Sequence, residues 1–420
     1  MKRRGKSANT LLRSLPKALG TARRPCHVAI LVLALWLLAV AVRLFLINQP
    51  YVDHWSWRQS DVATIARHFG ERGFGFAYPQ IDWAGDAPGY VGTEFPILPF
   101  LAAICYKFAG VHEWIGRSQA VISFAVSLPF FFLLVREVFG STAAIWATFF
   151  YAFAPLNIFA GRSFMPDVPS LSLAIIGLYF FFRWTKNGKW APLFLAAIAV
   201  SFSILIKVTS IVVAAPLLYL AVGPTRRDDR QRNKERRFPK PPGRSGDRRS
   251  LNLGAHRTPL QLVAFAAITI LPSLVWYWHA HQIAEKFYPH HLFGAGGIRI
   301  ENFSWYWGIA RRTTTSGLTP ILSMMALSGL FVAPRSRYLS LFHWWLAGMI
   351  LFVIVVADVL IYVYTGFFFV VVEFVVHRES KFVHQSAPVV FSPDTAICPP
   401  PAPIHRLLLS RICHSPVPRS

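Results

Sequence analysis

His27 to Asn48, HVAILVLALWLLAVAVRLFLIN, is the stretch on which the fold turns. It meets the roughly 20 apolar residues a helix needs to cross the bilayer hydrocarbon, where every backbone N–H and C=O must be bonded internally. Arg43 lies close enough to its far end for the side chain to snorkel to the headgroups. The run is too long for a cleaved signal peptide and no small-residue cleavage site follows, so it is expected to stay as the first span. Composition points the same way: 54% apolar and 15% charged residues, with a mean hydropathy of +0.42 over 420 residues, exclude a soluble domain. Cys26, Cys105, Cys398 and Cys413 stand without CxxC or CxxxC spacing and imply neither a zinc site nor a disulfide framework.

Outward from this span, charge sets the topology. Residues 1–26 carry eight Lys or Arg and no acid, and the polar break 223–258 carries twelve against four. Both are expected in the cytoplasm under the positive-inside rule, so an even number of crossings separates them. Six fit: 27–48, 117–136, 141–158, 167–184, 190–206 and the short 209–222. Arg136, Arg183, Lys186 and Lys189 then fall at cytoplasmic turns. FPILPFLAAICYKFAGVH at 95–112 is short, with two prolines and Lys107, and reads as an interfacial or re-entrant helix. Further spans are expected near 260–278, 317–333, 339–357 and 359–376. The expected fold is an all-α polytopic membrane protein of about 9–10 transmembrane helices.

This topology places 49–116 and the turns 159–166 and 206–209 on the non-cytoplasmic side, where the unusual charges lie. Of 19 acids in a chain of formal charge +24, six (Asp53, Asp61, Glu71, Asp82, Asp86 and Glu94) fall between Asp53 and Glu94. GRSFMPDVP adds Arg162 and Asp167, and LIKVTS adds Lys207. Charges at membrane depth are costly and mark functional sites. In RQSDVATIARHFGER (58–72), Val62, Ile65, Ala66 and Phe69 recur at helical spacing, which predicts an amphipathic helix on the membrane surface. Asp61 would lie in its first turn, where it, or Ser60, could equally be the helix cap.

The order of YVDHWSWRQSDVATIARHF, GTEFPILPFLAAICYKFAG, VREVFG, GRSFMPDVPSL and ILIKVTS over residues 28–222 resembles bacterial integral-membrane glycosyltransferases of the protein mannosyltransferase and aminoarabinose transferase type. The resemblance implies a GT-C architecture in the cell inner membrane. It implies transfer of a sugar from a polyprenyl-phosphate donor to an acceptor hydroxyl outside the cytoplasmic face, with a first-loop carboxylate as base. Asp61 and Asp53 are the candidate bases, because both lie between the first span and the surface helix. Many relatives open this helix with an acid pair, whereas here Arg58 and Gln59 stand near that position and the acids are displaced to Asp53 and Asp61. Arg162, Lys207 and Arg58 are candidates for the departing phosphate. Glu94 and Asp167 could orient a cation or bind sugar hydroxyls. The sugar and the acceptor, whether protein, lipid or polysaccharide, stay open, as does a divalent metal; no cofactor is certain and no metal ligand set is assigned.

The remaining features carry less chemistry. Arg162 and Asp167 could simply pair with each other, and Lys207 could snorkel. His279, His281, His290 and His291, expected in an external loop 279–316, lack a partnering acid for a metal. Trp276, Tyr277, Trp278, Trp305, Tyr306 and Trp307 fit an interfacial belt. The 223–258 break, with little aromatic interleaving, reads as a disordered loop on anionic lipid and not as a nucleic-acid site. The proline-rich tail after about 376 could be a disordered cytoplasmic tail, but its composition resembles neither spans nor an ordinary linker and reads rather as a slipped reading frame. A transporter would show related halves with broken helices, and no internal repeat is visible. A non-catalytic assembly protein would need no converging acids and cations.

Overall fold

The computed structural model describes residues 27–53, 55–222, 259–292, 301–317, 319–330 and 340–356. The expectations for 1–26, 223–258, the span 359–376 and the tail lie outside them. The described chain is helical: α1 (27–44), α2 (Ser56–Glu71), α3 (Ile97–Ala109), α4 (Glu113–Phe139), α5 (Ser141–Phe153), α6 (Pro155–Ala160), α7 (Asp167–Asn187), α8 (Trp190–Ile206), a 3₁₀ turn Val208–Val213, α9 (Ala214–Val222), α10 (Pro259–Lys286), α11 (Phe303–Arg312), α12 (Pro320–Leu330) and α13 (Ser340–Val356). Among these, α1, α4, α7 and α10 are long and apolar enough to span a bilayer, with shorter apolar helices beside them. α3, at 13 residues, falls short of a span.

The interruptions have local causes. Pro155 pushes Ala154 into extended backbone (φ −60°, ψ 135°) and splits the expected 141–158 span into α5 and α6. Lys207, at φ −153° and ψ 113°, breaks the chain between α8 and the 3₁₀ turn. Pro216, in the first turn of α9, has no N–H for residue 212. α10 and α11 fill part of the expected 279–316 loop, so His279 and His281 sit on a helix.

α7 and α8 form the spine. Gly177 lets them cross closely, since a Cβ there would lie 2.5 Å from Val200 Cγ2. Nearer the site, Ser170 Oγ donates to the Ser203 carbonyl at 2.6 Å, and Ser203 Oγ returns the bond to the Ser170 carbonyl at 2.7 Å. Paired hydroxyls of this kind satisfy polar atoms in an apolar bundle while letting backbones approach. Phe124, Phe131, Leu178, Phe182 and Trp184 fill the core between α4 and α7.

Two sequence expectations are corrected here. Arg43 does not snorkel. It is fully buried, donating to the carbonyls of Ala39 (2.8 Å), Ala152 (2.8 Å) and Asn157 (3.0 Å), with its guanidinium 3.4 Å from the centre of the Phe124 ring. Through Ala152 it caps a carbonyl at the end of α5, where the chain gives way to α6, a demand created by Pro155 and invisible in the α1 sequence. The apolar stripe of α2 likewise meets protein and not lipid. Val62 and Ala66 pack on Leu98, Ala102 and Tyr106 of α3, and Ile65 and Phe69 on Ile81, Val91 and Ala103.

Candidate active site

α2 carries Arg58 and Asp61 to one end of the bundle. The helix starts at Ser56 after Trp55, which takes the left-handed conformation (φ 58°, ψ 33°) and supplies no side-chain cap. Asp61 therefore stands beyond the first turn, and the capping reading of Asp61 or Ser60 is overturned.

Arg58 meets Glu94 with one guanidinium nitrogen at 2.6 and 2.5 Å from the two carboxylate oxygens, side chains 13% and 7% exposed. Lys207, at the α8 break, pairs with Asp167 at the head of α7 at 2.8 Å, 17% and 10% exposed. The two pairs are electrostatic neighbours: Lys207 acts on Glu94, and Asp167 and Asp61 act on Arg58. Five residues expected at the site, Arg58, Asp61, Glu94, Asp167 and Lys207, thus form one cluster from four separate segments. Burial alone would push the Glu94 carboxyl up, but Arg58 and then Lys207 outweigh it and hold it below its ordinary range. Asp61, half-buried and without a cation in direct contact among the described residues, goes the other way. Burial raises its carboxyl against the opposing pull of Arg58.

Asp53 and Arg162 belong to an adjoining lattice. Asp53 accepts from Gln59 (2.7 Å), Gln49 (3.1 Å) and Arg117 (3.2 Å). Arg117 is fully buried and also donates to the carbonyls of Pro50 (3.1 Å) and Arg162 (3.3 Å). Gln59 Oε1 accepts the Phe164 N–H at 3.1 Å. Arg162 donates to the Phe45 carbonyl at 2.8 Å at the end of α1, and among the described residues it makes no ion pair, with Asp167 or otherwise. Sequence reading missed Arg117. Its only signal was an arginine opening an apolar run, as at many span ends.

α10 braces the site. Trp276 Nε1 donates to the Thr93 carbonyl at 2.9 Å, and Tyr277 Oη to the Leu205 carbonyl at 3.1 Å. The Phe95 N–H reaches the same Leu205 carbonyl at 3.0 Å. Trp276 and Tyr277 therefore leave the expected interfacial belt for the site scaffold, while Trp278 and Trp307 remain well exposed. Gly92 permits the closest approach, because a Cβ would fall 2.2 Å from the Ala280 carbonyl oxygen and 2.6 Å from Leu292 Cδ1. Gly92→Ala is expected to cost about 1–3 kcal/mol by overpacking, read as a lower midpoint in thermal unfolding in detergent.

Among the described residues, no three His, Cys, Asp or Glu side chains converge as a metal site. Glu94 and Asp167 are already engaged by Arg58 and Lys207, so this arrangement does not fit a divalent ion held by those carboxylates. His279 is bonded to the Ala77 carbonyl at 2.9 Å and His281 to Glu285 at 3.1 Å.

With this geometry in place, residues 88–235 match the family described as dolichyl-phosphate-mannose-protein mannosyltransferase. The match takes in Glu94, Arg162, Asp167 and Lys207, while Asp53, Arg58 and Asp61 precede it. Among solved structures, the chain is similar to ArnT from Cupriavidus metallidurans in the apo state: TM-score 0.52, 14% identity, 87% of this chain and 62% of that one covered. It is also similar to the Archaeoglobus fulgidus oligosaccharyltransferase solved with Zn and sulfate: TM-score 0.51, 13% identity, 84% of this chain and 50% of that one. The chain thus spans under two thirds of the length of these proteins. The chain shares the fold of these two proteins, and it is a multi-pass membrane protein. No curated protein matches the chain significantly.

Proposed function

We propose that this chain is the membrane-embedded catalytic part of a glycosyltransferase that moves a sugar from a polyprenyl-phosphate donor to an acceptor hydroxyl on the non-cytoplasmic face of the cell membrane. The observation that carries the reading is the placement of Asp61, half-buried and without a direct cation partner among the described residues, beside two buried cation–carboxylate pairs in a chain whose residues 88–235 match this family.

In this reading Asp61 takes the proton of the acceptor O–H as its oxygen attacks the anomeric carbon. The bond from that carbon to the phosphate oxygen breaks, and polyprenyl phosphate leaves with the electron pair. A positioned carboxylate contributes such base catalysis when it lies within hydrogen-bond reach of the proton. The charge growing on the phosphate needs fixed cations already in place. Lys207 suits this role best, because it holds Asp167 through a single contact at the break between helices and can exchange it for a phosphate oxygen. Arg58 adds its field while committed to Glu94, and Arg162 stands further off at the end of α1. Glu94 and Asp167 then act by orienting these cations. Asp53 is the weaker candidate base, since three donors already occupy its carboxylate.

The test supplies the full chain in lipid nanodiscs with polyprenyl-phosphate donors bearing labelled hexoses or pentoses and follows label moving into an acceptor fraction. Transfer from one donor class supports the reading and identifies the sugar. Absence of transfer and of donor breakdown with every donor, from folded protein, overturns it.

A further inference from the structure

Away from the candidate site, a groove of about 770 Å³ runs between α1, α4 and α5. Val32 and Trp36 of α1, Phe132 and Leu133 of α4 and Thr148 of α5 are among its walls. Its inner end is built by the sequence of two helices. Pro129 has no N–H for the Ala125 carbonyl one turn back, and Trp36 Nε1 of α1 donates to that carbonyl at 2.7 Å. Thr148 satisfies its hydroxyl within α5, on the Ala144 carbonyl at 2.7 Å. The mouth is different. Arg136, in the last turn of α4, is the one charged residue lining the groove; it is exposed, and among the described residues it makes no ion pair. Its neighbour Glu137 is taken up by Arg183 at 3.1 Å and by Lys186, both of α7. α4 rises about 28 Å between Arg117, in the Asp53 lattice, and Arg136. The groove therefore opens at the end of the bundle opposite the Asp61 cluster, the end that the basic turns assign to the cytoplasm.

We propose that this groove binds an anionic glycerophospholipid, with an acyl chain between α1 and α4 and the headgroup phosphate on Arg136. An apolar void of this size stays dry and would forfeit dispersion contacts along both walls. In a bilayer the group at hand to fill it is a hydrocarbon chain. From Leu128 to Arg136 the groove follows α4 for about 12 Å, which suits the part of an acyl chain nearest its headgroup. Charge complementarity selects the headgroup. The guanidinium at the mouth has no acid of its own among the described residues, and arginine makes paired, charge-assisted bonds to phosphate oxygens. A zwitterionic headgroup brings a competing cation to the same place, whereas basic pockets between spans on the cytoplasmic side suit anionic lipids. The phosphate of a sugar donor belongs at the opposite end of the bundle, so this site is independent of the transferase reading.

The experiment titrates the full chain, delipidated in detergent, with phosphatidylglycerol or with phosphatidylcholine of the same chains. Bound lipids are counted by native mass spectrometry, and thermal midpoints are taken alongside. The wild type should hold one phosphatidylglycerol about fivefold more tightly than phosphatidylcholine and gain thermal stability with it. Arg136→Gln, at an exposed position, should fold as the wild type does and bind the two lipids alike, and Arg136→Lys should recover part of the preference. Leu133→Trp, or Val32→Trp from the opposite wall should the first fail to fold, fills the groove and should lose the bound lipid of either kind. Equal affinities in the wild type, or a preference that survives in Arg136→Gln, overturn the proposal. So does retention of the lipid in a folded groove-filling variant. Uptake of neither lipid by the wild type would mean that another part of the chain closes the groove, and displacement of phosphatidylglycerol by equimolar polyprenyl phosphate would give the groove to the donor's carrier; each result refutes the occupant proposed.

Discussion

Asp61→Asn is expected to lower kcat by about 10²–10⁴-fold, the range contributed by a positioned general base, with donor KM changed little. The substitution is nearly isosteric, so it removes the charge and the proton acceptor without opening a hole. Wild-type activity should rise with pH through the ionisation of Asp61, which burial displaces above the ordinary carboxylate range, and the variant should lose that limb. Asp53→Asn should behave differently. Its carboxylate ties α2 and α4 together through Gln59 and Arg117, so the larger effect falls on stability, because the substitution leaves buried Arg117 without its counter-charge. Initial rates at saturating donor, measured with thermal midpoints for both variants, separate the two outcomes.

Arg58→Ala should be the most damaging single change to the folded state. Removing one member of a buried, hydrogen-bonded ion pair typically costs about 3–5 kcal/mol, because the abandoned charge stays desolvated. Here that charge is Glu94, left among the described residues with the Thr93 hydroxyl at 3.3 Å, its own backbone N–H and the field of Lys207 to compensate. Arg58→Lys keeps the charge but replaces the planar guanidinium by a shorter, more strongly hydrated ammonium, and should fall between wild type and Arg58→Ala. The double variant Arg58→Met, Glu94→Gln removes both charges and should recover much of the thermal stability while staying inactive. A double variant as unstable as Arg58→Ala would show that the pair is not the source of the loss.

The helices themselves were readable. α8 coincides with its expected span, and α7 and α1 lie within a few residues of theirs, because an apolar run of membrane length admits few other structures. The shared side of Glu94, Asp167, Lys207 and α2 follows from the parity of crossings alone. What covers a face was not readable. Periodicity showed that Val62, Ile65, Ala66 and Phe69 share a side of α2, but it is equally satisfied by lipid or by α3. The pairing of Arg58 with Glu94, 36 residues apart, is a tertiary event without a local signature. Arg43 and Arg117 were hidden for another reason: a lone arginine in an apolar run looks the same whether it snorkels or is buried to satisfy carbonyls on another helix. Trp276 and Tyr277 were misplaced similarly, since aromatic density marks a membrane interface and a hydrogen-bonding scaffold alike.

The most direct measurement of the central claim is release of free polyprenyl phosphate from a sugar-loaded donor, followed side by side for wild type, Asp61→Asn and Asp53→Asn in nanodiscs. Release by wild type, its near abolition in Asp61→Asn, and its retention per folded molecule in Asp53→Asn is the predicted result. Wild-type release that survives in Asp61→Asn and disappears in a stably folded Asp53→Asn would contradict the assignment of the base.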